Sequence, residues 1–169
     1  MRASPFLYIL LILSTFSCAQ KSIPEVLEKF NENTVPYISV EDLNTMPEVV
    51  ILDTRKLEEY KVSHIKNAIW VGYETFDIAS ITKTFSEKDT IVVYCSVGIR
   101  SEDIGEKLNQ AGLSNVKNLY GGIFAWKNQG YPVYDAPNKK TEKVHAYSKY
   151  WANLLTNADK VYTLENLDD

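Results

Sequence analysis

Ile91-Val92-Val93-Tyr94, with Cys95 directly behind it, is the stretch that most restricts the fold. Four successive β-branched or aromatic residues with no polar alternation cannot sit on a half-solvated sheet. They read as a strand buried on both faces, as in a parallel sheet covered by helices on either side. Val49-Val50-Ile51-Leu52-Asp53 repeats the pattern, and Val116-Lys117-Asn118-Leu119 reads as the last strand, closed by Tyr120-Gly121-Gly122. Tyr37-Ile38-Ser39-Val40 and Ala68-Ile69-Trp70-Val71 are shorter candidates. Helical patterns separate them. Residues 23–33, opened by Pro24, place Val26, Leu27 and Phe30 on one side, and Glu41-Asp42-Leu43 begins a brief turn. Further helices are read over residues 57–62, over 101–111 with Ile104, Leu108 and Ala111 before Gly112, and over 123–129 before Gly130 and Pro132. Residues 73–85 are placed only loosely. The alternation predicts an α/β fold with a parallel-sheet core flanked by helices on both faces. A chain of 169 residues, 45% hydrophobic, suits one such domain.

A loop running from a strand's carboxyl end to a helix N-terminus collects unpaired N–H groups and the positive end of the helix dipole. Cys95 stands at the mouth of such a loop, followed by Ser96, Val97, Gly98, Ile99, Arg100 and Ser101. A thiol set among N–H donors and beside a guanidinium favours its thiolate, the nucleophilic form. Gly98 suits a backbone that curls tightly around an anion. The same pattern also fits a buried structural cysteine ahead of an ordinary turn, and the local sequence leaves both open. Asp53 is expected to emerge with Cys95 at the carboxyl edge of the sheet, where ligands bind in folds of this class.

The formal charge of −4 and the lack of basic clusters argue against a nucleic-acid partner. Two cysteines make no disulfide scaffold, and two histidines without a Cys-x-x-Cys pair leave no recognisable metal site. Residues 1–19 read as a signal peptide: Arg2 supplies the positive start, residues 5–16 the apolar run, and Ser17-Cys18-Ala19 the processing site. The pattern resembles a bacterial lipoprotein signal, with Cys18 as the lipid-bearing first residue of the mature protein. Ordinary secretion with cleavage ahead of Gln20 is the alternative. Both predict an exported protein, periplasmic or on the outer surface, and lipidation would add a membrane anchor. With Cys18 modified, Cys95 is a lone thiol in an oxidising compartment. Residues 20–35 read as an N-terminal linker and helix, 36–134 as the domain, and 135–169 as a C-terminal helical extension. In that extension Pro137-Asn138-Lys139-Lys140 is a polar linker. Val144, Tyr147, Trp151, Leu154 and Ala158 recur at helical spacing, predicting a helix over residues 142–157. It would pack back on the domain, cover the Cys95 mouth or bind a partner, and His145 and Tyr147 could then approach the loop.

Four segments in register resemble a single rhodanese-like domain: Leu52-Asp53-Thr54-Arg55 with Glu59-Tyr60; Ser63-His64-Ile65-Lys66-Asn67-Ala68; Tyr94-Cys95 through Arg100-Ser101; and Leu119-Tyr120-Gly121-Gly122 with Ala125-Trp126. The resemblance implies sulfurtransferase chemistry. Cys95 would take the outer sulfur of a small anionic donor such as thiosulfate, hold it as a persulfide, and pass it to a thiol or cyanide-like acceptor, or to a protein acceptor. The loop from Ser96 to Ser101 would bind the donor, with Arg100 as its cation, and no metal or organic cofactor is implied. Asp53, Arg55 and His64 read as supporting residues that hold neighbouring loops. Phosphatases and arsenate reductases of the cell-cycle type share this fold, but their loop has five residues between cysteine and arginine. Here there are four. A persulfide-carrying or redox-sensing module with little turnover is the remaining alternative.

Overall fold

In the computed structural model, residues 22–163 are described; the signal segment and Cys18 lie outside the described residues. The chain runs α1 (Ile23–Phe30), β1 (Tyr37–Ile38), α2 (Val40–Thr45), β2 (Val50–Asp53), α3 (Leu57–Val62), β3 (Ile69–Trp70), α4 (Ile78–Thr84), β4 (Ile91–Tyr94), α5 (Ile99–Gln110), β5 (Val116–Leu119), α6 (Gly122–Asn128) and four short strands, β6 (Val133–Tyr134), β7 (Lys140–Thr141), β8 (Lys143–His145) and β9 (Asp159–Val161). The central sheet has the order β1-β5-β4-β2-β3, and every pair in it is parallel.

β4 lies in the middle of that sheet and is buried throughout. Its side chains alternate between two cores, as a strand covered on both faces requires. Val92 and Tyr94 join Val26 of α1, Leu43 of α2, and Ile123, Phe124 and Trp126 of α6. Ile91 and Val93 join Ile81 of α4 and Ile104 and Leu108 of α5. Helix starts follow local chemistry. Ser22 and Glu25 form a capping box around Pro24, and the Asp77 carboxylate accepts the Ala79 N–H to open α4. That last helix was hard to read from sequence because Thr82 and Thr84 are weak helix formers and Ile81 is its only buried residue.

The predicted helix over residues 142–157 is not formed. β7 closes a hairpin with β6, β8 pairs in parallel with β9, and a single 3-10 turn covers Ala152–Leu154. The supposed linker is the hairpin turn, in which the Asp135 carboxylate accepts the Lys139 N–H. Two features defeat the helix. Tyr147 has φ of 63°, a left-handed conformation that interrupts helical winding, and Asn128 captures backbone groups from outside. The Asn128 amide donates to the Leu154 carbonyl at 2.7 Å, and its oxygen accepts the Thr156 N–H at 2.7 Å. The apolar spacing is nevertheless used: Val144, Ala146, Leu154 and Leu155 pack into the core that contains Val92 and Tyr94.

One polar network is sealed within the carboxyl edge of the sheet. Asp53 and Arg55 are both fully buried. The Arg55 guanidinium donates to both Asp53 oxygens and, at 2.6 Å, to the Ser63 carbonyl. The Tyr94 hydroxyl donates to Asp53 at 2.5 Å and accepts the Ile65 N–H. Burial, and then the Asp53 charge, push the Tyr94 phenol well above its ordinary range. Asp53→Ala strands a buried guanidinium and should lower stability by about 3–5 kcal/mol. A urea melt checks this, and an unchanged midpoint would refute a stabilising role for the pair.

Candidate functional site

The loop after β4 is defined by where its carbonyls go. The Cys95 carbonyl accepts the Ile123 N–H at 3.0 Å, and the Ser96 carbonyl accepts the Phe124 N–H at 3.1 Å, both from the start of α6. The Gly98 carbonyl accepts the amides of Asn118 at 2.8 Å and Asn31 at 3.0 Å. With these carbonyls held from outside, an N–H is free to face the thiol: Gly98 donates to Cys95 Sγ at 3.1 Å. Gly98, with φ of 111°, also opens α5, so the sulfur lies at that helix's positive end.

Approach of α6 this close depends on Gly122, whose φ is 54°. A Cβ there would lie 2.3 Å from the Cys95 carbonyl oxygen, nearer than any real contact. Gly122 is therefore a fitting requirement of the cysteine loop, whereas a Cβ at Gly121 would meet Ala125 and Ile23 instead.

Glu59 and Arg100 hold the other side. Arg100 donates through both terminal nitrogens to Glu59, at 2.8 and 2.9 Å, and also to the Ser96 hydroxyl at 3.0 Å. That hydroxyl donates to Glu59, whose second oxygen accepts the Lys56 N–H. Burial alone would raise the Glu59 carboxyl, but its hydrogen bonds and charge pairing with Arg100 prevail and hold it at about 2. Burial likewise disfavours the Arg100 cation, and the bonds to Glu59 together with the Cys95 charge more than offset it, so its value is raised.

The thiol opens on a cavity of about 170 Å³ lined by Cys95, Ser96, Val97, Ile99, Arg100, Tyr147 and Trp151. The last two come from the C-terminal segment, and the Tyr147 ring lies over the Arg100 guanidinium at 4.8 Å. His145 fixes that placement. Its Nδ1 accepts the Tyr147 N–H at 3.1 Å, and its Nε2 faces the Tyr162 carbonyl at 3.0 Å, an arrangement suited to the neutral ring with its proton on Nε2. Glu142 pairs with the buried Lys127 at the segment's start.

The loop residues expected from sequence thus divide. Ser96, Val97, Ile99 and Arg100 line the cavity with Cys95, and Gly98 supplies its N–H from behind. Ser101 does not line the cavity, because its hydroxyl donates to Asn118 at 2.8 Å. Arg100 is less available for a donor anion than the sequence implied, since Glu59 and Ser96 occupy the outer edge of its guanidinium and Tyr147 one face. Asp53 and Arg55 belong to the sealed network above. His64 stacks on Tyr60 at 4.1 Å and bridges to Tyr134 through the backbone, outside the cavity lining. Tyr147 approaches the loop, as the reading in which the segment covers the Cys95 mouth expected, whereas His145 acts through it. Glu59, Asn31, Asn118 and Trp151 were not singled out as site residues. Glu59 carried a signal within its motif, but a carboxylate's partner across 41 positions is set only by the fold.

The chain matches the family model described as a rhodanese-like domain over residues 39–129. A tRNA uridine(34) hydroxylase from Erwinia tasmaniensis is 34% identical over 118 residues, 63% of this chain and 34% of that protein. The chain therefore spans about a third of that curated relative. Among solved structures, a rhodanese-related protein from Thermoplasma volcanium is 30% identical with a TM-score of 0.52, covering 58% of this chain and 96% of that one. A thiosulfate sulfurtransferase from Pseudomonas aeruginosa is 26% identical with a TM-score of 0.53, covering 65% and 22%.

Two outcomes follow from this geometry. Gly122→Ala forces both a strained backbone and a collision with the loop. It should cost more than about 1 kcal/mol and change the rate at which iodoacetamide alkylates Cys95; a variant matching wild type in melting and alkylation would refute the fitting role. Burial lowers the His145 pKa, outweighing the Glu59 charge and the Tyr162 bond that raise it, while the Arg55 charge lowers it further and the Glu58 charge raises it. The tether it makes is therefore complete above the ordinary histidine value of about 6.5 and is lost as pH falls through the lowered one. Limited proteolysis of the C-terminal segment should accelerate in that window, and the acceleration should be absent in His145→Gln.

Proposed function

This chain belongs to the rhodanese-like family, and on that premise we propose that it is a sulfurtransferase working through a persulfide on Cys95. The observation that carries the reading is the bond from the Gly98 N–H to Cys95 Sγ, at a helix N-terminus and open to a cavity. The Cys95 thiolate attacks the outer sulfur of a sulfane donor such as thiosulfate. The donor's S–S bond breaks, and sulfite leaves with the bonding pair. The new terminal sulfur, carrying the negative charge, stays within the loop, where preorganised N–H groups and the helix dipole stabilise it. A cyanide or thiolate acceptor then attacks that sulfur, and the pair of the Cys95 S–S bond returns to the cysteine.

Arg100 serves here as a positioning residue. Its fork holds Glu59 and Ser96, and so fixes the wall opposite α6. The four residues between Cys95 and Arg100 make a cradle narrower than the five-residue phosphatase loop, which favours attack on sulfur over a phosphate ester. Hydroxylation, named for a relative about three times longer, is not part of this reading. Export with lipid on Cys18 is proposed with it. This places donor and acceptor, a protein acceptor included, outside the cytoplasm and away from nucleic acid.

Mass spectrometry after thiosulfate exposure tests the reading. Wild type should gain one sulfur atom that cyanide removes, and Cys95→Ser should gain none. A wild-type persulfide that forms but turns over poorly with cyanide would favour the carrier-module alternative. No gain across several sulfane donors would overturn persulfide chemistry, and phosphatase turnover that disappears in Cys95→Ser would replace it.

A further inference from the structure

We propose that Tyr147 and Trp151 determine donor specificity, selecting an organic sulfane compound that carries an aryl or bulky alkyl group over inorganic thiosulfate. This rests on the persulfide role of Cys95 and names the substrate class for that site.

Three observations converge on it. The cavity in front of Cys95 is walled by Val97, Ile99, Tyr147 and Trp151, and its volume of about 170 Å³ resembles that of an apolar cavity known to hold benzene, about 150 Å³. It has room for one ring-sized group beside the sulfur. Secondly, among the described residues Arg100 is the only cation in that lining, and its charge is already matched by Glu59 through two hydrogen bonds. A dianion such as thiosulfate finds no unmatched cation there. A donor whose anionic end is confined to the sulfur and its leaving group needs only the N–H cradle. Thirdly, the aromatic wall is held in place by other residues. Tyr147 keeps a left-handed backbone, tethered by His145, and such outliers persist where surrounding contacts over-determine them. Trp151 is braced by Phe30 at 6.2 Å and by Tyr150, edge-on, at 5.2 Å.

With benzenethiosulfonate, the Cys95 thiolate would attack the terminal sulfur. The S–S bond breaks, benzenesulfinate leaves with the electron pair, and the ring sits against Trp151 and Tyr147. Methanethiosulfonate reacts through the same bonds without a group to fill the cavity.

The experiment measures second-order rates of Cys95 persulfide formation from benzenethiosulfonate, methanethiosulfonate and thiosulfate by mass spectrometry, in the full chain, and benzenethiosulfonate should react fastest in wild type. The aryl-to-methyl ratio should fall roughly tenfold or more in Trp151→Ala, the scale expected when apolar contact is removed from a pocket. It should fall similarly in Tyr147→Leu, which keeps an apolar side chain should the first variant fold poorly. Ile69→Ala, on the edge strand β3, should keep the wild-type ratio. Equal persulfide formation from both thiosulfonates in wild type, or a ratio unmoved in both wall variants, overturns this inference and leaves sulfur transfer standing. Thiosulfate loading Cys95 as fast as or faster than benzenethiosulfonate also overturns this inference, whereas absence of persulfide from all three donors in wild type overturns the function on which it rests.

Discussion

A backbone loop can turn its N–H groups toward an anion only if its carbonyls are bonded elsewhere, and most of this structure serves that condition. The carbonyls of Cys95 and Ser96 go to α6, and that of Gly98 goes to Asn118 and Asn31. Asn118 can do this because β5 is the immediate neighbour of β4 in the sheet. Asn31 arrives from the C-terminal end of α1, whose Val26 is anchored in the same core as Tyr94. Gly122 is the only residue type that allows α6 so near. Sheet order, helix placement and the position of one glycine therefore follow from the same hydrogen-bond requirement.

The second constraint is charge. A fully buried carboxylate at Glu59 would be costly alone, and the Arg100 fork neutralises it while holding the Ser96 hydroxyl. That arrangement stiffens the loop but leaves the cavity with little net positive charge. Recognition then has to come from shape and apolar contact, for which the C-terminal segment supplies the aromatic side opposite Val97 and Ile99. A minimal domain ending near residue 134 would leave the Tyr147 and Trp151 side of the cavity open.

The central strands were legible because residues buried on both faces leave an unambiguous apolar run, and Ile91 to Tyr94 pair in the sheet as that run required. Cys95 and its loop were legible because a strand's end and a glycine turn lie next to each other in sequence. Glu59, Asn31 and Asn118 were not, since their meaning depends on side chains meeting across tens of residues. The C-terminal segment was misread for a different reason. Val144, Tyr147, Trp151 and Leu154 have helical spacing, yet Val144 and Ala146 also alternate as a strand does. A periodicity satisfied by both readings was decided by partners the sequence does not display: the Asn128 amide, the β9 ladder and the left-handed turn at Tyr147.

Because that segment contributes Val144, Ala146, Leu154 and Leu155 to the core beneath β4, the aromatic wall is not a free lid. Withdrawing it would expose side chains worth about 1.5–3 kcal/mol each for the larger ones, together with the Lys127–Glu142 pair. The cavity is therefore pre-formed, and a ligand meets a fixed shape rather than one that closes around it. The pH-sensitive point in the wall is its hydrogen-bonded corner at His145, where one ring nitrogen accepts the Tyr147 N–H and cannot carry a proton at the same time. Shape selectivity at Cys95 and the protonation state of His145 are thus linked through a single backbone N–H.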